Sequence, residues 1–218
     1  MMQFNYKQLH KLILHPLLIG LVSVGAITSV SKASFIAKNR ITTTQAVAQQ
    51  VVQNQGIYRS DRFKFQFSYS SKYFVIDNKI STPSNQIDSP LASIDIWTKN
   101  HAQKIRNGEY AGGTEYPANV SITVNNNPKK LPLQIWVKQS NQFSDTRNFQ
   151  SARIAGQTGI KFQSSGLYEN ENVAFVNPRD GRIIVIKLSK TNYGNNDALY
   201  RRAYHQVINS FTLLNNRR

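Results

Sequence analysis

The chain contains no cysteine in its 218 residues. That excludes a disulfide framework, a thiol nucleophile, a zinc–cysteine site and lipid attachment through an N-terminal cysteine. Acidic side chains are also scarce, with 11 Asp and Glu against 27 Lys and Arg, a formal charge of +16. Few carboxylates leave little from which to build an acid–base pair or a hard-cation site. No Gly-x-Ser-x-Gly elbow, phosphate loop or dinucleotide fingerprint is present, and no internal repeat. What the chain does have is aromatic bulk: 10 Tyr and 11 Phe within a 40% hydrophobic composition. Large rings bury much area per residue, so a core can form without cross-links.

The first residues read as an address. Lys7, His10 and Lys11 precede an apolar stretch from Leu17 to Val30, and Ser31-Lys32-Ala33 then supplies small side chains at the positions a signal peptidase needs. Residues 1–33 are therefore expected to be a secretory signal peptide. The alternative is an uncleaved anchor, since Leu12 to Val30 approaches spanning length, interrupted by His15 and Pro16. Either way the folded part is expected outside the cytoplasm, in a periplasm or thylakoid lumen. Removing residues 1–33 takes away only Lys7, Lys11 and Lys32, leaving +13, so the basic character belongs to the mature protein.

Residues 34–56, rich in Thr, Gln and Ala, read as a linker, and 57–213 as one domain. Phe63, Phe65, Phe67 and Tyr69 alternate with Arg62, Lys64, Gln66 and Ser68, the period of a half-buried antiparallel strand. Tyr73–Ile76 is expected to follow as its partner strand, and Ala92–Ile96 and Val120–Val124 predict further strands. Between the last two comes a helix, with Thr98 as N-cap, Ala102 and Ile105 inward and Gly108 at its end. Leu133, Trp136 and Val137 predict a short helix starting near Pro132. Ser151–Ile154, Gln157–Leu167 and Val173–Val176 read as a meander. Pro178-Arg-Asp-Gly181 is a tight turn into the apolar run Arg182–Leu188, suited to a central strand. A final helix is capped by Asn196 or Asp197, with Leu199, Ala203, Val207 and Phe211 inward and Arg201, Arg202 and His205 outward. The predicted class is α+β, a central antiparallel sheet flanked by helices.

Phe63-Lys-Phe-Gln-Phe-Ser-Tyr69, Gly156-Gln-Thr-Gly-Ile160, Gly181-Arg-Ile-Ile-Val-Ile186 and the closing Val207-Ile-Asn-Ser-Phe211 together resemble the PsbP-like family. These are lumenal and periplasmic relatives of the extrinsic oxygen-evolving-complex subunit of photosystem II. Ser70 departs from the proline usual after that family's first strand. The resemblance implies an α/β/α sandwich and a non-enzymatic accessory or assembly role. It carries over no ion-binding residues, because no acidic or histidine cluster matches.

The remaining polar residues offer little chemistry. His101 and His205 lie on predicted helices without a second ligand at i+3 or i+4. Glu109-Tyr-Ala-Gly-Gly-Thr-Glu-Tyr116 is a compact loop in which Glu109, Tyr110, Glu115 and Tyr116 could rim a small-ligand site, or in which the acids simply answer Lys104 and Arg106. Tyr168-Glu-Asn-Glu-Asn172 could offer oxygens to calcium, or be a solvated hairpin tip. The basic residues are dispersed and lack a nucleic-acid motif, so no nucleic-acid partner is expected. No catalytic residue, metal or cofactor is expected. An exported accessory protein that meets a membrane complex or an anionic membrane surface is the leading expectation. A domain binding a small ligand through the Glu109–Tyr116 loop is the alternative.

Overall fold

A computed structural model describes residues 54–79, 89–194 and 196–214. The expected signal peptide, and the linker up to residue 53, lie outside the described residues. Ten strands and three helices follow. They are β1 (Gln55–Ser60), β2 (Phe65–Ser70), β3 (Phe74–Lys79), β4 (Ala92–Thr98), α1 (Lys99–Arg106), β5 (Val120–Asn125) and α2 (Leu133–Gln139). The chain continues through β6 (Arg147–Ile154), β7 (Gln157–Ser165), β8 (Glu169–Val176), β9 (Ile183–Leu188), α3 (Asp197–Ser210) and β10 (Thr212–Leu213).

Seven strands form one sheet in the order β3-β4-β5-β9-β8-β7-β6, and β1-β2-β10 form a second, smaller one. Every pairing is antiparallel. The α+β class is as predicted; the second sheet is not. Tyr73–Ile76 begins a strand as expected, but β3 pairs with β4 and not with the aromatic strand before it. Strand β2 instead pairs with β1 and β10, and β1 starts at Gln55, inside the segment read as a linker. Its alternation is inverted for sequence reading, because Ile57 points to solvent at 69% exposure.

Strand β9 is central and its uninterrupted apolar run is covered on both faces, as such runs require. On one face Ile184, Ile186 and Leu188 join Ile94, Ile122 and Val173 beneath α3 and the small sheet. Phe211 stacks on Phe65 at 5.0 Å and meets Phe175 edge-on at 5.3 Å, tying the two sheets together. On the other face Ile183, Val185, Ala174 and Phe162 pack under Trp136 and Val137 of α2. Gly159 is required where β7 crosses β8, because a Cβ there would lie 2.5 Å from the Ala174 carbonyl oxygen.

Helix α3 presents more than the predicted stripe. Ala203 and Val207 are buried, but so are Tyr200 and Tyr204, while Leu199 is only partly covered. Arg201 does not face outward freely: it donates to Glu171 at 2.5 Å.

The connections sort to two ends of the large sheet. The β5–α2 connection, the β6–β7 turn and the β8–β9 turn lie at one end, since Asn125 pairs with Ile183, Val176 with Ile183 and Ile154 with Gln157. The β1–β2 turn joins them there, with the Arg182 guanidinium 5.3 Å above the Phe63 ring. This is called the turn end below. The loop from α1 to β5, the β7–β8 connection and the segment from β9 to α3 lie at the opposite end.

Candidate functional site

The Glu109–Tyr116 loop sits at the opposite end, and the four residues singled out in it have different fates. Glu109 pairs with Lys104 of α1 at 3.3 Å. Glu115 takes the Lys190 ammonium at 3.0 Å and the Tyr168 hydroxyl. These bonds hold the Glu115 carboxyl below its ordinary range, the Tyr168 and Lys190 hydrogen bonds outweighing a small desolvation. Lys190 also lies over the Tyr168 and Tyr193 rings, at 4.2 and 5.7 Å. Both acids thus serve to pin the loop at its two ends. Tyr110 stacks on Tyr116 with centroids 5.6 Å apart, and Tyr116 leans on Trp97 while staying 53% exposed.

Sequence reading missed Lys190, Tyr168 and Tyr193 as members of this cluster. Tyr168 and Lys190 reach Glu115 from 53 and 75 residues away, a distance at which no local pattern signals contact, and Tyr193 joins through the Tyr168 ring. Beside the cluster, α1 and the edge of the sheet enclose a cleft of about 260 Å³. It is lined by Val75, Ile76, Asp77, Trp97, Ala102, Ile105 and Arg106. Its lining is mixed, with apolar side chains from Val75, Ile76, Trp97, Ala102 and Ile105 beside one acid, Asp77, and one cation, Arg106.

The second acidic stretch does not converge on a cation. Residues Glu169 to Asn172 run along β8, so successive side chains point to opposite faces. Glu169 pairs with Arg147, Glu171 with Arg201 and Lys161, and Asn172 donates to Ser164 Oγ at 3.0 Å. Among the described residues no group of three His, Asp or Glu side chains is placed to hold a metal.

His101 bridges two helices. Its Nδ1 meets the Tyr200 hydroxyl at 2.8 Å and its Nε2 faces the Asn196 amide at 3.3 Å. Tyr200 Oη in turn accepts the Thr98 N–H at 2.9 Å, and Thr98 caps α1 as expected. Burial, reinforced by nearby Lys104, pushes the His101 pKa down, so the neutral ring is favoured. This is a structural bracket between α1 and α3.

The charges are unevenly engaged. Asp61, Glu109, Glu115, Asp145, Glu169, Glu171, Asp180 and Asp197 all lie in ion pairs. Many cations are left over: Lys64, Lys129, Lys130 and Arg153 have no ion-pair partner among the described residues.

No model of a known protein family matches the chain. No curated protein matches it by sequence. In fold, the chain is similar to PsbP. The solution structure of cyanobacterial PsbP (CyanoP) from Synechocystis sp. PCC 6803 aligns with 73% of this chain and 92% of its own, at 12% identity and a TM-score of 0.45. A crystal structure from Bacteroides thetaiotaomicron VPI-5482 aligns with 73% of this chain and 48% of its own, at 8% identity and a TM-score of 0.39. These are likenesses of fold alone, and they bring no site residue to this chain.

Proposed function

We propose that the protein is an exported, non-catalytic accessory or assembly factor. It docks by charge on a membrane complex, photosynthetic or other, or on an anionic membrane surface outside the cytoplasm. One observation carries this reading: the fold uses its acids internally and leaves a surplus of cations. Surface ion pairs contribute little stability each, and an unpaired lysine or arginine contributes less still, so this surplus charge adds little to the fold. Their summed field attracts an acidic partner and is screened by salt. The expected leader sequence supports an extracytoplasmic setting, and both ring nitrogens of the half-buried His101 are engaged by Tyr200 and Asn196. The experiment is association of the full chain with native membranes across ionic strength. Binding that weakens steeply with salt supports the reading; binding indifferent to salt rules out electrostatic docking.

A second reading, small-ligand binding, is favoured by the cleft beside Trp97 and the exposed Tyr110–Tyr116 stack. Aromatic faces with a cation and an acid at the rim suit a small, partly apolar ligand. Quenching or a shift of Trp97 fluorescence on addition of a ligand pool, abolished by Trp97→Phe and retained in Trp136→Phe, tests it. No change in the wild type or in Trp136→Phe, or a change that persists in Trp97→Phe, counts against this reading.

A further inference from the structure

We propose that the turn end of the sheet is the docking face and that its partner is an anionic lipid bilayer. This rests on the electrostatic reading above and names its surface and occupant. The topology brings four separate connections to this end, and with them Arg62, Lys64, Lys129, Lys130, Arg153 and Arg182. They are adjoined physically: Arg62 and Arg182 both stand over the Phe63 ring, at 5.1 and 5.3 Å. The Asn125 amide reaches the Ile183 carbonyl at 3.4 Å, linking the β5–α2 connection to the start of β9. Leu214 N–H donates to the Lys64 carbonyl at 2.8 Å, and the sequence continues within four residues to Arg217 and Arg218. The acids at this end, among the described residues, are Asp61 and Asp180, and each is already paired with an arginine.

The opposite end is more balanced. It carries Glu109, Glu115, Asp145, Glu169 and Asp197, but also Lys72, Lys99, Lys104, Arg147 and Lys190. Among the described residues the excess of cations over acids is therefore greater at the turn end.

Two of the turn-end lysines stand where the backbone disfavours them. Lys64 has φ 56° and Lys130 φ 50°, the left-handed region that suits Gly or Asn. Both sit in hydrogen-bonded turns, as the Lys64 carbonyl accepts from the Leu214 N–H and the Lys130 N–H donates to the Asn127 carbonyl, and neither ammonium makes an ion pair among the described residues.

A bilayer fits this surface better than a protein does. Protein interfaces are anchored by buried aromatic and apolar side chains. Of the exposed large apolar side chains, Tyr73, Tyr116, Leu167 and Tyr193 lie at the opposite end, Ile57 lies within β1, and Ile135 stands on α2 just after the turn-end lysines. The turn end offers spread cations on several separate turns, with Ile135 the one exposed large apolar side chain close to them among the described residues. That arrangement matches a laterally mobile layer of anionic headgroups, whose charges can move to meet it.

The test is co-sedimentation of the full chain with phosphatidylcholine vesicles, with and without about 30% phosphatidylglycerol, at low salt. A turn-end variant combines Lys64→Asn, Lys129→Gln, Lys130→Asn and Arg153→Gln, with Asn chosen for the left-handed positions. A matched variant removes the same charge elsewhere: Lys72→Gln, Lys99→Gln, Arg106→Gln and Arg202→Gln. Thermal melts confirm that both fold. Each cation near an anionic surface contributes about a fivefold factor, so the turn-end variant should lose well over 10-fold in binding and the matched variant much less. Equal losses would mean that net charge, not this face, drives binding, and would overturn the inference. If the wild type ignores anionic vesicles yet binds native membranes in a salt-sensitive way, the partner is an acidic protein: the bilayer inference fails and the accessory reading stands. If native membranes are also ignored, both fail.

Discussion

Tyr200 and Tyr204 lie one turn apart on α3, both fully buried, and differ in what their hydroxyls meet. Tyr200 Oη accepts the Thr98 N–H at 2.9 Å and bonds His101 Nδ1 at 2.8 Å. Tyr204 Oη is buried with no hydrogen-bond partner among the described residues. Removing one oxygen from each should therefore have opposite effects. Tyr200→Phe deletes two bonds and leaves a buried backbone donor unpaired, a loss of about 1–3 kcal/mol. Tyr204→Phe deletes a hydroxyl that was desolvated without return, so stability should be unchanged or rise by up to about 1 kcal/mol. Ring packing is kept in both, so no cavity confuses the comparison. Urea unfolding followed by far-ultraviolet circular dichroism, with equal m-values required, reads the difference. If Tyr204→Phe destabilises the protein as much as Tyr200→Phe, the reasoning from hydrogen-bond partners is wrong.

Gly159→Ala should lower stability by about 2–4 kcal/mol, because the new methyl meets a strand carbonyl that cannot move away; a chemical melt checks this. His101 has a folded pKa below its unfolded value. The unfolded state therefore binds more protons, and stability should fall as pH drops below about 6.5 toward the folded value. His101→Gln should flatten that slope in melts taken from neutral to mildly acidic pH. Lys187 stands in β9 between Ser121 and Asn172, and burial depresses its pKa against the pull of Asp95. Wild-type stability should accordingly rise with pH toward the unfolded lysine value near about 10.4. Lys187→Met should remove the rise and add about 1 kcal/mol at neutral pH, read by thermal melts at both pH values.

Much of the fold was legible because its strongest signals are local. The alternation from Phe63 to Tyr69 marks a half-buried strand, and the unbroken run from Ile183 to Leu188 marks a central one. The tight turn before β9 and the cap at Thr98 were also visible as short-range chemistry. Strand pairing was not, since β3 and the aromatic strand before it are neighbours in sequence but belong to different sheets. The inward face of α3 was misjudged because Tyr200 and Tyr204 bury polar hydroxyls that a hydrophobic stripe does not anticipate. At the candidate site, Glu109 with Lys104 is a local pair and was foreseen as one reading. Glu115 with Lys190 and Tyr168 is made by tertiary folding and could not be. The segregation of cations to one end has the same origin: residues dispersed along the sequence are gathered by antiparallel turns.

The account turns on electrostatic docking, and its most direct measurement is the fraction of full-length protein bound to native membranes as ionic strength rises. At low salt the protein should sediment with the membranes. As the screening length shortens from about 10 Å near 0.1 M to about 3 Å near 1 M, it should be released into the supernatant. A bound fraction that stays constant over that range would contradict the account.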